Sequence, residues 1–473
     1  MNNKYSNYVY LENNQSIDAM EINDLVISQR AFYTSGATRS YEFRFNALKK
    51  LKQAITDNSS LFEDALMADL NKPASETYIC ETGIILDEVN YHLKNLKKWM
   101  SNKRVPTPLT HFKSTSFISP EPYGVVLIMS PWNYPVQLCL SPLIGAISAG
   151  NCAIIKPSAY SPHSSKAVAK VISQVFSQEY IAVVEGGREE NNSLLKEKYD
   201  YIFFTGSVAV GKLVMESASK HLTPVSLELG GKSPVIIDKS VNIEIAARRV
   251  VFGKILNAGQ TCIAPDYVLV NRDVKAAFIE GCKKAFKQFF PTLDTSDMPV
   301  IINEKHYARV SRLLDSGKVV MGGGTDASRR YIDFTILDDV CFDSPIMQEE
   351  IFGPILPIIS VETIDECIAF INSKPKPLAL YLFTNDKVVE KNVLESCSFG
   401  GGCINDTIIH VANHNMAFGG VGNSGMGAYH GKFSFDTFTH YRSIVKKCIW
   451  PDIMMRYRPY TSTKDSIIKK LMK

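Results

Sequence analysis

Three positions in this chain combine a reactive side chain with a local sequence that would present it. The first is Cys262, in NAGQTCIAPDYV (257–268). A thiol of ordinary pKa, about 8.5, is only slightly ionised at neutral pH, yet it is already a strong nucleophile. Most cysteines are small buried hydrophobes. Cys262 stands apart because Asn, Gly, Gln and Thr precede it and Pro265 follows, a polar run that suits an exposing loop. The second is Glu228, in PVSLELGGKSP (224–234). A carboxylate inside an apolar, strand-like run has to be ion-paired, protonated or functional. With a raised pKa it would be a general base; in a structural salt bridge it would be inert. The third is Asn133, in SPWNYP (130–135). Held between Trp132 and two prolines, its amide can donate to a developing oxyanion, or the segment is simply a proline-fixed turn beside a core Trp.

Two other patterns lead elsewhere. GSVAVGK (206–212) matches G-x-x-x-x-G-K, but Leu213 stands where a P-loop needs Ser or Thr for magnesium. The same turn can still cradle a pyrophosphate, because it lies between a strand and a helix N-terminus. His410 and His414 have the i, i+4 spacing of a metal pair, but Val411 replaces the Glu of H-E-x-x-H and no third ligand is evident. No metal site is expected.

The elements that must position these residues follow from periodicity. GVVLIMS (124–130) reads as a buried strand and 136–150 as a helix closed by Gly150. Strands are predicted at 151–156, 181–186 and 200–206, with helices at 164–178, 191–198 and from Val208. Such alternation means parallel βαβ units in an open, doubly wound sheet. Asn133 then follows the carboxyl end of a strand, where ligands bind in such sheets. The first hundred residues are expected to be mainly helical, with Ile84 to Met100 one amphipathic helix. From Asp238 to Pro354 the rhythm repeats as a second α/β unit, with helices near 242–256 and 275–289. The boundary falls near Gly230–Gly231, and the Pro-, Ser- and Thr-rich stretch 106–123 forms an excursion.

Composition narrows the class. At 473 residues the chain has room for two or three domains. A net charge of +4 spread over so large a surface excludes nucleic acid or an anionic membrane as the main partner. Ten cysteines without a C-x-x-C pair fit a reduced, intracellular compartment. The Asn-rich first twenty residues have no signal-like apolar core and are expected to be disordered. The Lys-rich end is too short to span a membrane.

Taken together, SPWNYP, KPSAYSP (156–162), FFTGSVAVGK, LELGGKSP, NAGQTCIAPDYV, QEEIFGP (348–354) and FGGVGNSGMGAYHGKFSFDTFTH (418–440) resemble the aldehyde dehydrogenase superfamily in order and spacing. The form of the Cys and Gly-rich segments is most similar to its class 3, fatty-aldehyde-like branch. The resemblance implies a Rossmann-type NAD(P)-binding domain from 1–105 and 124–229. It also implies a second, Cys-bearing catalytic α/β domain over 230–430, and a bridging or oligomerisation element with tail from 106–123 and 431–473. It implies Cys262 as nucleophile, Glu228 as the base that activates water, and Asn133 with the Cys262 N–H as the oxyanion hole. For the cofactor it implies Lys156 and Glu350 as ribose contacts, Phe352 packing near the nicotinamide, and Gly206, Ser207 and Gly211 facing the pyrophosphate.

The implied reaction is oxidation of medium- or long-chain aliphatic or aromatic aldehydes to acids, through a cysteine thiohemiacetal and thioester. A cytoplasmic homodimer is implied as well. Many members carry Glu where this chain has Ala159, so NADP should be admitted beside NAD. Two alternatives stay open: a coenzyme A-acylating relative, which Glu228 argues against, and a non-catalytic binding protein on the same fold.

Overall fold

The computed structural model describes residues 19–472, so most of the Asn-rich N-terminal stretch lies outside the described residues. The described residues up to 99 are mainly helical, as expected: α1 (Ala19–Thr34), α2 (Tyr41–Asp57), α3 (Ser59–Leu70), α4 (Ala74–Thr77) and α5 (Gly83–Trp99). A π-helical turn, Tyr78–Thr82, joins the last two. β1 (Lys103–Val105) lies just ahead of the excursion, which contains β2 (Ser114–Pro122).

The first large sheet is built from β3 (Val125–Met129), β4 (Cys152–Lys156), β5 (Ile181–Val183), β6 (Tyr201–Gly206) and β7 (Val225–Leu229). Its crossovers are α6 (Gln137–Ala149), α7 (Pro162–Val175), α8 (Arg188–Leu194) and α9 (Val208–Ser219). α8 begins three residues earlier than the apolar pattern suggested, because Glu190 turns back to accept the Gly187 N–H and caps the helix there. The central strand is sealed on both faces: Val125, Val126, Leu127 and Ile128 have no exposure. Each such side chain contributes about 1.5–3 kcal/mol of burial. α6 ends where Gly150 takes φ 93°, a left-handed C-cap in which a Cβ would strike the Arg44 guanidinium.

The second sheet uses β8 (Pro234–Ile237) and β9 (Tyr267–Asn271), linked by α10 (Ile243–Ile255). After α11 (Lys275–Phe289) come β10 (Lys318–Met321), the small hairpin β11 (Thr325–Asp326) and β12 (Tyr331–Ile332), then β13 (Thr335–Asp338) and β14 (Ile355–Val361). β15 (Ala379–Phe383) and β16 (Gly401–Ile404) complete it, in the order β10-β13-β14-β9-β8-β15-β16. All its pairings are parallel except β10 with β13.

Two late strands return to earlier parts of the chain. β17 (Gly425–Met426) lies antiparallel on β7, Gly425 opposite Glu228. The first sheet therefore reads β17-β7-β6-β3-β4-β5. β18 (Thr439–Lys447) pairs along the whole of β2, which makes a separate three-stranded sheet β1-β2-β18.

Candidate active site

In the first sheet the chain runs outward from β3 through β4 to β5, then returns to place β6 on the other side of β3. That switch point opens a crevice at the carboxyl ends of β3 and β6. The residues after β3 are Ser130 to Asn133, and those after β6 are Gly206 and Ser207. Opposite them stand segments that precede strands of the second sheet: Cys262 before β9, Glu350 and Phe352 before β14, and Leu378 before β15. The site thus lies between the carboxyl edge of one sheet and the amino edge of the other. A cleft of about 1440 Å³ fills that gap.

Its walls include Asn133, Lys156, Gly206, Ser207, Glu228, Cys262, Glu350 and Phe352, eight of the nine positions expected from the sequence. Gly211 is not among the lining residues. It sits inside α9, where a Cβ would come 2.7 Å from Leu229, so its lack of a side chain lets α9 pack closely on β7.

The Cys262 loop is strained. Asn257, Ala258 and Gly259 take φ of 52°, 51° and 71° in succession, and left-handed non-glycine residues cost about 1–3 kcal/mol each. Gln260 holds the turn: its side chain donates to the Val300 and Asn257 carbonyls at 3.0 and 3.1 Å and accepts the Ile302 N–H at 3.0 Å. Cys262 emerges half-buried at the cleft. Burial pushes its thiol up to about 12, with the nearby Glu350 and Glu228 carboxylates adding to the shift.

Glu228 is almost wholly buried, and neither carboxyl oxygen has a hydrogen-bond partner among the described residues. The salt bridge left open by the sequence is therefore absent at this side chain. Burial alone carries its pKa well above the carboxylate range. Asn133 spends one amide N–H on the Gln260 carbonyl at 3.0 Å, which ties its loop to the cysteine loop. A second tie joins the Tyr134 hydroxyl to the Thr261 hydroxyl at 2.5 Å.

Toward the far end, Lys156 donates to the Pro157 and Gly186 carbonyls at 2.6 Å each, and burial lowers its pKa to about 8. Burial likewise raises Glu350 to about 8, helped by Asp266. A Cβ at Gly230 would land on the Glu350 carboxylate, so that glycine keeps the cleft floor open. Phe352 has φ 48° and sets its ring edge-on to Trp132, 5.4 Å between centroids. Lys232 pairs with Asp266 and donates to the Ile346 and Glu349 carbonyls, while Asp266 accepts the Ile351 N–H. These charges hold QEEIFGP in place without facing the cleft. His410 and His414 do not converge: His410 meets Cys403 at 3.6 Å, and His414 meets Asp87 and Glu88 at 2.6 and 3.0 Å.

The cleft fits a dinucleotide. It starts on the Gly206–Ser207 turn, at the N-terminus of the twelve-residue α9, and a Cβ at Gly206 would meet Phe204 at 2.6 Å. Lys156 and Arg188 line the same stretch. A switch-point cleft of that length, ending at a thiol and an orphaned carboxyl, marks a nucleotide-dependent oxidoreductase. The chain belongs to the aldehyde dehydrogenase family, whose model matches residues 5–444. It is 49% identical over 435 residues to 4,4'-diaponeurosporen-aldehyde dehydrogenase of Staphylococcus aureus (strain NCTC 8325 / PS 47), covering 91% of this chain and 95% of that one. It is 45% identical over 430 residues to the dimeric NADP-preferring aldehyde dehydrogenase of Rattus norvegicus, covering 90% and 95%. The solved substrate-bound state of Staphylococcus aureus AldH superposes with a TM-score of 0.94 at 48% identity, covering 96% and 99%. The protein is an aldehyde-oxidising enzyme that uses NAD or NADP.

Proposed function

We propose that the enzyme works hydrolytically, with Cys262 as nucleophile, Glu228 as general base, and Asn133 with the Cys262 N–H as the oxyanion hole. The observation that carries this reading is the buried Glu228 carboxyl, without partner and on the same cleft as the thiol. The Cys262 thiol gives its proton to solvent and its sulfur bonds to the aldehyde carbon. The carbonyl electrons move to oxygen, and the alkoxide accepts from the free N–H of the Asn133 amide. When bound, NAD or NADP supplies the acceptor for the hydride that leaves this carbon. A thioester remains on Cys262. Glu228 takes a proton from water, the hydroxide attacks the thioester, the C–S bond breaks to free the carboxylic acid, and Glu228 returns the proton to the sulfur to restore the thiol. Lys156 and Glu350 would hold ribose hydroxyls, Gly206 and Ser207 the pyrophosphate, and Phe352 would pack by the nicotinamide.

The finer assignments rest on the same surroundings. Trp132, Leu138, Phe418 and Tyr429 give the cleft apolar walls, which suits medium- or long-chain aliphatic or aromatic aldehydes. The name of the staphylococcal relative points the same way. Ala159 removes an acidic neighbour from Lys156, and with an NADP-preferring relative this supports use of both cofactors. A homodimer is supported by the rat relative's description and by the separate sheet β1-β2-β18, in which the 106–123 excursion supplies β2, the 431–473 region supplies β18, and β1 comes from the residues just before the excursion. The division into a cofactor domain (1–105, 124–229) and a Cys-bearing domain (230–430) follows the two sheets, with β17 lent to the first. A cytoplasmic location is in keeping with ten unpaired cysteines. Among the described residues no helix is long and apolar enough to cross a membrane.

The test is NAD(P)H formation from a panel of aldehydes without coenzyme A. Sustained turnover to free acid supports hydrolysis; turnover that requires coenzyme A would favour the acylating route instead.

A further inference from the structure

Residues 72–82, between α3 and α5, carry three charged side chains that this chemistry does not use. Lys72 and Glu81 pair at 2.6 Å with both side chains wholly out of water. Lys72 Nζ also donates to the Asn133 carbonyl at 3.2 Å and lies 4.4 Å from the Tyr134 ring centre. The other Glu81 oxygen accepts the Val136 and Gln137 N–H groups at 2.9 Å each, at the start of α6. Glu76 accepts the Asn257 N–H at 2.7 Å, and Asn257 Nδ2 donates to the same Asn133 carbonyl at 2.8 Å. One short segment therefore grips both ends of the Asn133 loop and the cysteine loop beside it. Its centre is the π-helical turn Tyr78–Thr82, a conformation found often at functional sites.

A buried ion pair is a poor stabiliser. Dehydrating both charges often costs more than their attraction returns, and uncharged replacements of similar volume are frequently neutral or better. What this pair does supply is direction, since its hydrogen bonds end on the backbone that carries one catalytic amide. We propose that Lys72 and Glu81 are a positioning pair for the oxyanion hole, fixing where the Asn133 amide stands. This rests on the reading of Asn133 as the oxyanion donor. A displacement of about 1 Å at a reacting centre costs about 10²-fold in rate, so loosening the pair should act on kcat.

The test is the double variant Lys72→Met/Glu81→Gln, which removes both charges, keeps the volume and leaves an acceptor for the start of α6. It is compared with Asn133→Ala and with the triple variant. The expected result is a melting temperature near wild type and unchanged alkylation of Cys262 by iodoacetamide. The rate of the first NAD(P)H turnover should fall about 10–100-fold, with KM little altered. The triple variant should be no slower than Asn133→Ala alone, because the pair acts through that amide. A double variant with wild-type kcat overturns the proposal. So does one that loses alkylation and melting temperature together, since that is a general structural role. Losses that add in full in the triple variant overturn it as well. If Asn133→Ala itself keeps wild-type kcat, the oxyanion reading fails first. Should the double variant not fold, Glu81→Gln alone is assayed in the same way, with the same outcomes decisive.

Discussion

At the residue scale, two raised pKa values set the pH behaviour. Burial pushes the Cys262 thiol up to about 12 and lifts Glu228 well above its ordinary range. A group with a raised pKa is neutral below it and accepts a proton only above, so turnover should climb with pH from neutral into the alkaline range. In Glu228→Gln the rise should disappear from the deacylation rate, and an unchanged rise would contradict its role as base. Asn133→Ala should cost about 10²–10³-fold in kcat, the usual loss for one oxyanion donor, read from steady-state rates. Ala159→Glu should raise the KM for NADP while leaving that for NAD nearly unchanged. Cys262, Glu228 and Asn133 were legible in the sequence because each sits in a run whose polarity clashes with its setting. Lys72, Glu81 and Gln260 were not. NKPAS and CETG look like ordinary helix-end sequence, and apart from the Lys72–Glu81 contact and the Gln260 bond to Asn257, the partners of these side chains lie 40 to 61 residues away in the chain.

At the element scale, the strands and helices of the first sheet, and α10 and α11 of the second, fall close to where periodicity placed them, because buried parallel strands are continuous apolar runs; β10 and β13 to β16 were not placed from the sequence. The crossings escaped. Nothing in GMG announces that β17 will pair with β7, since two residues carry no period. The segment that leads to it is fastened by His414, which also stacks on Tyr91 at 4.9 Å. Glu88 accepts from His414, from His92 at 3.1 Å and from the Gly431 N–H at 2.7 Å. Burial alone would raise the Glu88 pKa, but hydrogen bonds from His414 and His92 outweigh it and hold the carboxyl ionised. The hydrogen bond to Glu88 lifts His414 to about 9, with Asp87 reinforcing it. The buried His430 is pushed down to about 4 and stays neutral. The clasp's contribution to stability is therefore full below about pH 6.5 and lost as pH rises through about 9. His414→Gln should melt below wild type at pH 6, by about 2–4 °C for each kcal/mol lost, with the gap closing by pH 10. Parallel melting curves at both pH values would contradict the clasp. Because 409–431 brings Phe418 and Tyr429 to the cleft, the same variant should raise KM for bulky aldehydes.

At the scale of the whole molecule, two facing sheets leave one long cleft, and a third small sheet stands apart with open edges. β18 runs nine residues with Val445 and Tyr441 exposed, and an uncovered edge of that length invites pairing with another chain. Light scattering should give twice the 52.7 kDa chain mass, and Val445→Asp should shift that mass toward one chain. A monomeric wild type would remove the dimer from the account. The near-balanced charge and the α/β alternation were visible in the sequence, whereas the size of the cleft depends on loops that meet only in three dimensions. The most direct measurement is a rapid-mixing experiment on Glu228→Gln with aldehyde and cofactor, followed by intact mass. One NAD(P)H per active site, then a stall with the acyl group retained on Cys262, is the expected result. Continued turnover at the wild-type rate, or an acyl group on another residue, would contradict the assignment of thiol and base.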